Sequence, residues 1–245
     1  MIRFEYKYLA PIELIEQLRS EIMPYVNYDE YASVNQIGEY TVRSIYFDND
    51  KLQYYNDKVD GLDVRKKLRV RGYGSKDENS IVFLEIKKKN GMRIFKTRAP
   101  LTFANLEEMF SFVNFEKYIL TEPIENAIEN ARKFFYYVKF DNLKPIILVV
   151  YEREAYQGKF ENSLRITFDK NLRASIFPGL ADLFDEKNMR FVMSSYFIVE
   201  FKGSERIPRW FRDIVGKYEL RLMALSKYVM CVDAFNFSEL EQMAK

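Results

Sequence analysis

The stretch Val64–Gly74 reads VRKKLRVRGYG, and at its centre, Lys67-Leu68-Arg69-Val70-Arg71, charged and apolar residues alternate one for one. Alternation at period two marks a β-strand with two different faces, because successive side chains point to opposite sides. Leu68 and Val70 therefore face one way, and Lys67, Arg69 and Arg71 face the other. Any fold built on this strand has to house a row of cations.

The pattern recurs along the chain. Arg3–Tyr8 alternates charged and aromatic residues, and Tyr40–Phe47 (YTVRSIYF) sets Val42 and Arg43 in opposite senses. Ile81–Lys89, Met92–Arg98, Ile146–Tyr156, Ser163–Phe168 and Arg190–Lys202 also read as strands. Alternate positions carry Glu5 and Lys7, Arg69 and Arg71, Glu85 and Lys87, Lys96 and Arg98, and Glu200 and Lys202, while Arg43, Arg153 and Arg165 occur singly. Asn90-Gly91 is a hairpin signal and, as a tight two-residue turn, places Lys89 opposite Met92 and Glu85 opposite Lys96.

Helical spacing appears between the strands. One helix starts after Pro11, with Ile12, Ile15, Leu18 and Ile22 on one face. Phe103–Tyr137 reads as two helices broken at Thr121-Glu122-Pro123, and two more are expected near Pro208–Leu220 and Ser226–Phe235. With no repeat, low-complexity tract or Pro/Gly linker, residues 1–245 read as a single domain of the antiparallel α+β class with about eight strands.

A polar strand face is ordinarily solvated. Two features favour a different reading here. The faces carry arginine, the residue suited to forked phosphate contacts, at fixed period-two positions. Phe4, Val42, Leu68, Val70, Leu84, Ile86, Ile166, Val199 and Phe201 also supply an apolar layer for helices to cover. The charged face then becomes the inner wall of a closed barrel, where unpaired cations would be very costly without an anionic ligand or paired carboxylates.

Composition narrows the chemistry. The chain has no histidine, so a histidine base, a Ser-His-Asp triad and a histidine metal site are all excluded. The net charge of +2 hides an imbalance: Leu62–Arg98 holds 12 Lys/Arg against 4 acids, a local +8, leaving −6 for the rest. A cation row relieved by a few glutamates implies a polyphosphate-like anion with a divalent metal, Mg²⁺ or Mn²⁺, held against it by carboxylates. Phosphoryl transfer needs only positioning and charge stabilisation. The +8 segment also suits nucleic acid, but no aromatic stacking platform is evident on the cation face, so there is no strong nucleic-acid signal. The lone Cys231 fits a reducing cytoplasm and a buried structural thiol. No apolar run approaches the roughly 20 residues of a membrane span, and Arg3, Glu5 and Lys7 interrupt any signal-peptide pattern.

Taken in order, RFEYKY from Arg3, VRSIYFD from Val42, KLRVRGY from Lys67, LEIK from Leu84, YEREAY from Tyr151, LRITFD from Leu164 and LSKY from Leu225 resemble the catalytic domain of the vacuolar transporter chaperone (VTC) polyphosphate polymerases. These belong to the triphosphate tunnel metalloenzymes. The resemblance implies a closed eight-stranded antiparallel β tunnel with a charged lumen and helices packed outside. It implies that Lys7, Arg43, Arg69, Arg71, Lys87, Lys96, Arg153, Arg165 and Lys227 line the tunnel as the catalytic set. Arg69, Arg71, Lys87 and Lys202 are the cofactor-binding candidates, and Glu200, with Glu5 and Glu85 added from period-two geometry, is expected to bind the metal.

The implied reaction transfers the γ-phosphate of ATP to a growing polyphosphate chain. A triphosphatase acting on inorganic, nucleoside or RNA triphosphate and a non-catalytic polyphosphate sensor are the alternatives. Arg3 stands where the wider superfamily begins its ExExK signature, and Ala224 stands where the polymerase branch carries a second basic residue before Lys227. The protein is expected to be cytoplasmic, with recruitment to the inner face of a membrane by a separate membrane protein partner that would export the product.

Overall fold

The computed structural model describes residues 4–34, 38–91, 93–204 and 206–235. Eleven strands form the sheet: β1 (Phe4–Pro11), β2 (Val26–Tyr28), β3 (Glu39–Asp48), β4 (Val64–Tyr73), β5 (Ile81–Asn90), β6 (Arg93–Thr102), β7 (Lys144–Gly158), β8 (Arg165–Ile176), β9 (Arg190–Met193), β10 (Tyr196–Gly203) and β11 (Arg221–Leu222). Eight helices accompany them: α1 (Ile15–Ile22), α2 (Glu30–Val34), α3 (Gln53–Val59), α4 (Leu106–Phe112), α5 (Phe115–Tyr118), α6 (Ala127–Phe140), α7 (Arg209–Lys217) and α8 (Lys227–Asp233). Arg3 and Met92, both used in the sequence reading, lie outside the described residues.

The strand order is β11-β1-β10-β8-β7-β3-β4-β5-β6, with β2 on β7 and β9 on β8. This corrects the expected closed eight-stranded tunnel: the sheet has eleven strands and does not close. The free edges show why. The outer edge of β1 is taken by β11, and beyond that pairing the Met223 N–H donates to the Lys7 carbonyl at 2.9 Å. The outer edge of β6 is met by the loop that follows Tyr118 and by the helix Ala127–Phe140, with Leu120 N–H donating to the Pro100 carbonyl and Asn130 Nδ2 to the Arg98 carbonyl. Covering an edge in this way satisfies the groups that closure would otherwise pair.

The chain forms two compact units. The first comprises Met1–Thr41, Tyr151–Arg173 and Phe191–Ser226, and the second comprises Val42–Val150, Ala174–Arg190 and Lys227–Lys245. In the first unit the core contains Tyr8, Leu18, Ile22, Tyr156, Ile166, Phe168, Val199, Phe201 and Phe211, so α1 and α7 bury their apolar stripes against β1, β8 and β10. In the second, Ile45, Phe47, Leu68, Val70, Leu84 and Ile86 pack with Met109, Ala131 and Phe134 from α4 and α6. The alternation seen in the sequence thus produces an apolar face under helices in each unit.

Two details correct the expected registers. The β5–β6 hairpin closes on Asn90 opposite Arg93, with Gly91 at φ 58°, so Glu85 faces Arg98 and Lys87 faces Lys96. The shift is by two residues, which leaves every side chain on its expected face. On β3 the sense is reversed: Arg43 pairs with Gly72 and Ser44 with Arg71, so Val42 lies on the cation face and Arg43 on the helix-covered one. Gly72 is needed on that covered face, because a Cβ there would come within 2.9 Å of the Phe184 ring and 3.2 Å of Leu183.

Candidate functional site

In the second unit, register alone collects the cations. On β4, β5 and β6 the cation face carries Arg65, Lys67, Arg69, Arg71, Lys87, Lys89, Lys96 and Arg98, eight positive charges, and one carboxylate, Glu85. Lys67, Lys87 and Lys96 form one cross-strand row, and Arg69, Glu85 and Arg98 form the next. Like charges directly opposite one another are destabilising.

Glu85 is 1% exposed and is the hub of the cluster. Arg69 Nε donates to its Oε2 at 2.7 Å, Arg98 Nε to its Oε1 at 2.8 Å, Lys96 Nζ lies 3.0 Å from Oε1, and Arg71 Nε lies 3.8 Å from Oε2. Burial pushes this carboxyl up, but Arg69, Arg71, Lys96 and Arg98 together outweigh it and hold the group well below the usual carboxylate range. With both oxygens committed to cations, Glu85 does not fit the expected metal role.

Several residues of this face were not assigned from sequence. Tyr46 OH accepts from Arg69 Nη1 at 2.8 Å, Ser44 Oγ accepts from Arg71 Nε at 3.1 Å, and Tyr73 OH accepts from Arg98 Nη2 at 3.3 Å. Burial raises the Tyr73 phenol, but Arg71 and Arg98 pull it down to about 8. Partial burial of its ammonium, with Arg98 and Arg69 beside it, takes Lys96 down to about 8 against the pull of Glu85. Aromatic rings do share the cation face, contrary to the sequence reading. Phe83 pairs with Arg71, and its ring lies 4.3 Å from the Arg98 guanidinium. Period two from Arg71 already pointed to Tyr73.

Helix α8 brings Lys227 to this group. Tyr228 stacks on Tyr46 at 5.0 Å and donates to Asp48 at 2.6 Å. The charge of Lys227 joins Arg69 and Arg71 in lowering the Tyr46 phenol against the upward push of burial. Asp48 also accepts from the Tyr54 and Tyr55 N–H groups, capping α3. Of the predicted cations in this unit, Arg43 does not join: on the opposite face, its Nε donates to the Gly74 carbonyl and its Nη2 lies 2.6 Å from Glu186. Cys231 is buried, as expected.

The first unit carries a second charged face of different balance. Glu5 pairs with Lys202 and Lys202 with Arg165, while Lys7 pairs with Glu200 and Glu200 with Thr167. Lys7 Nζ lies 3.0 Å from Glu5 and 3.6 Å from Glu200, and donates to the Leu225 carbonyl at 3.2 Å. Burial disfavours its charge, but Glu200 and Glu5 outweigh burial and raise its pKa. Arg153 donates to both oxygens of Asp169, at 2.6 and 2.8 Å, and reaches Glu200 at 3.7 Å. Arg165 Nη2 donates to Asp29 at 2.9 Å. Lys202 Nζ lies 3.3 Å from Glu200.

Asp169 was missed in sequence although period two from Arg165 leads to it. Among the described residues no three Asp, Glu, Cys or His side chains gather as a metal cluster. Glu5 and Glu200 are nonetheless hard oxygen donors of the kind a divalent cation takes, and Glu200 meets Lys7, Arg153 and Lys202 only at 3.3–3.7 Å, longer than the 2.5–3.0 Å contacts that hold both oxygens of Glu85.

Comparison with known proteins places the chain in a family. The VTC domain matches residues 2–236, and the chain belongs to that family. Subunit 4 of the vacuolar transporter chaperone complex of Schizosaccharomyces pombe is 30% identical over 145 residues, covering 54% of this chain and 20% of that protein. The Trypanosoma cruzi subunit 4 is 26% identical over 219 residues, covering 76% of this chain and 27% of that protein. Subunit 2 from Saccharomyces cerevisiae is 26% identical over 148 residues, 54% of this chain and 18% of its own length. The aligned regions therefore span about a quarter of those relatives or less. Among the described residues no helix is long and apolar enough to cross a membrane.

Proposed function

We propose that this chain is a metal-dependent phosphotransferase acting on polyphosphate, a polyphosphate polymerase that moves the γ-phosphate of ATP onto a growing chain. The observation that carries the reading is the face of β4, β5 and β6, where eight cations share one strand face with a single carboxylate. Such a face suits a ligand bearing a charge on every unit of its length. Membership of the VTC family supports the same substrate class.

On this reading Arg69 and Arg71 hold phosphate oxygens, with Tyr46 and Ser44 fixing the planes of their guanidinium groups. Glu85 keeps the cluster assembled without neutralising it. Lys87, Lys96 and Lys227 add charge where negative charge builds up during transfer. A terminal oxygen of the polyphosphate chain attacks the γ-phosphorus of ATP; the new P–O bond forms as the bond to the β-phosphate oxygen breaks, and ADP leaves with that electron pair. In the first unit Glu5 and Glu200 would hold Mg²⁺ or Mn²⁺, which supplies charge neutralisation and orientation of phosphate oxygens. Lys7, Arg153, Arg165 and Lys202 are the phosphate ligands of that face.

Hydrolysis is the second reading, favoured by Ala224 at the place of the polymerase branch's extra basic residue. One assay separates them: pure protein with ATP and Mn²⁺ or Mg²⁺, followed for free phosphate and for chain length. Long chains support the polymerase. Phosphate without chains replaces it with a triphosphatase, and binding without turnover replaces it with a sensor. A complex with a separate membrane protein would account for export of the product.

A further inference from the structure

Four buried side-chain atoms lack a hydrogen-bond partner among the described residues: Arg43 Nη1, Thr97 Oγ1, Arg165 Nε and Thr167 Oγ1. Arg43 and Thr97, the latter opposite Ile86, lie on the helix-covered face. Arg165 and Thr167 differ in kind. They occupy alternate positions of β8 on its charged face, opposite Lys202 and Glu200. Thr167 is 1% exposed. Buried donors are nearly always satisfied, so two orphans side by side on one ligand-bearing face call for an explanation.

Neighbouring acceptors do not supply one. Both oxygens of Asp169 are held by Arg153, and Glu200 is surrounded by Lys7, Lys202 and Arg153. Arg165 is itself fixed through Nη2 on Asp29, which anchors the guanidinium and leaves its Nε–H unsatisfied. What both groups need is an acceptor from outside the protein that brings several oxygens and no competing donors.

We infer that Thr167 and the Nε edge of Arg165 form a subsite that binds one phosphoryl group, with the Thr167 hydroxyl as its donor from β8. The inference rests on the phosphate-binding reading above and adds to it a neutral residue that contacts the ligand. A hydroxyl there can donate to a phosphate oxygen without adding charge to the face. It thereby discriminates by geometry among cations that attract any anion.

The test measures tripolyphosphate binding by calorimetry, and thermal unfolding without ligand, for the wild type, T167V and T167S. T167V should bind about tenfold more weakly, the loss of one hydrogen bond to a charged acceptor. Its ligand-free midpoint should hold or rise, because an unsatisfied buried hydroxyl has been removed. T167S, which keeps the hydroxyl, should bind as the wild type does. T167V binding like the wild type overturns the subsite and leaves the phosphate-binding reading intact. A T167V protein that loses stability but keeps affinity overturns it too, by showing a structural role. Absence of tripolyphosphate binding by the wild type overturns the broader reading itself.

Discussion

Lys87 stands directly opposite Lys96 across the β5–β6 ladder, on the face that also bears Arg69, Arg71 and Arg98. Two ammonium groups in one cross-strand pair repel by several tenths of a kcal/mol, up to ~1 kcal/mol. Lys87→Gln should therefore leave the ligand-free protein as stable or slightly more so, while the rise in thermal midpoint produced by polyphosphate shrinks. Differential scanning fluorimetry with and without tripolyphosphate reads both effects. A variant that loses ligand-free stability and keeps the full ligand shift would show that the lysines serve the fold.

Glu85 has the opposite balance. Replacing it by Gln leaves Arg69, Arg71, Lys96 and Arg98 around a neutral group that is 1% exposed. Removing one partner of a buried ion cluster costs about 3–5 kcal/mol. Urea unfolding should show a loss of that size, partly restored by added tripolyphosphate, whose charge replaces the missing carboxylate.

The pH dependence has a definite sign. Lys96 sits at about 8 in the folded chain and Tyr73 also at about 8. Their unfolded values are about 10.4 and about 10. Between pH 8 and the unfolded values the unfolded chain holds more protons than the folded one, so these groups make stability rise with pH over that window. Affinity for a polyanion should fall over the same range, as Lys96 loses its charge and Tyr73 gains one. The absorbance of phenolate should show a step near pH 8 that disappears in Tyr73→Phe and moves upward when tripolyphosphate binds. A Tyr73 step at pH 10 in the free protein would sink this assignment.

Glu200→Gln tests the metal. With Glu5 left as the remaining carboxylate of the pair, the Mn²⁺ concentration giving half-maximal turnover should rise at least tenfold, a loss of about 1.4 kcal/mol. Tripolyphosphate affinity without metal should hold or improve, since a negative charge beside Lys7, Arg153 and Lys202 has been removed. An unchanged Mn²⁺ requirement would exclude Glu200 as a ligand.

Tyr228→Phe removes the hydrogen bond to buried Asp48 and should cost about 1–3 kcal/mol by leaving that acceptor short of a donor. The same change loosens α8 and with it Lys227, so turnover should drop more than phosphate binding to the wall formed by β4, β5 and β6. Equal turnover in the variant would detach Lys227 from the chemistry.

Much of this was legible in the sequence because period two survives errors of register. The hairpin slipped by two residues from its expected pairing, yet Glu85, Lys87, Lys96 and Arg98 still share a face. Alternation shows that a strand has two faces but not which is which. On β3 the polar-face residues are Ser44 and Tyr46, weak signals beside Arg43, whose charge is served on the other face by Glu186 and the Gly74 carbonyl. Closure was unreadable for a different reason. Whether an edge strand meets another strand or a helix depends on contacts such as that of Asn130 with the Arg98 carbonyl, far apart in sequence and without periodicity. Asp169, two places beyond Thr167, lies on the same alternation, but a lone carboxylate among cations gives no periodic signal of its own; only its pairing with Arg153 shows its role.

Gly72 follows the two arginines immediately, where a glycine would ordinarily be credited to close approach of a ligand to the backbone. Its bare Cα instead faces away from the cation face and makes room for Phe184 and Leu183. The turn bearing those residues leads on to Glu186, the partner of Arg43. A single strand is thus written in two interleaved messages, one that gathers the cations and the other addressed to the loop behind it. A glycine substitution that abolished activity here would report a displaced loop and not a lost phosphate contact.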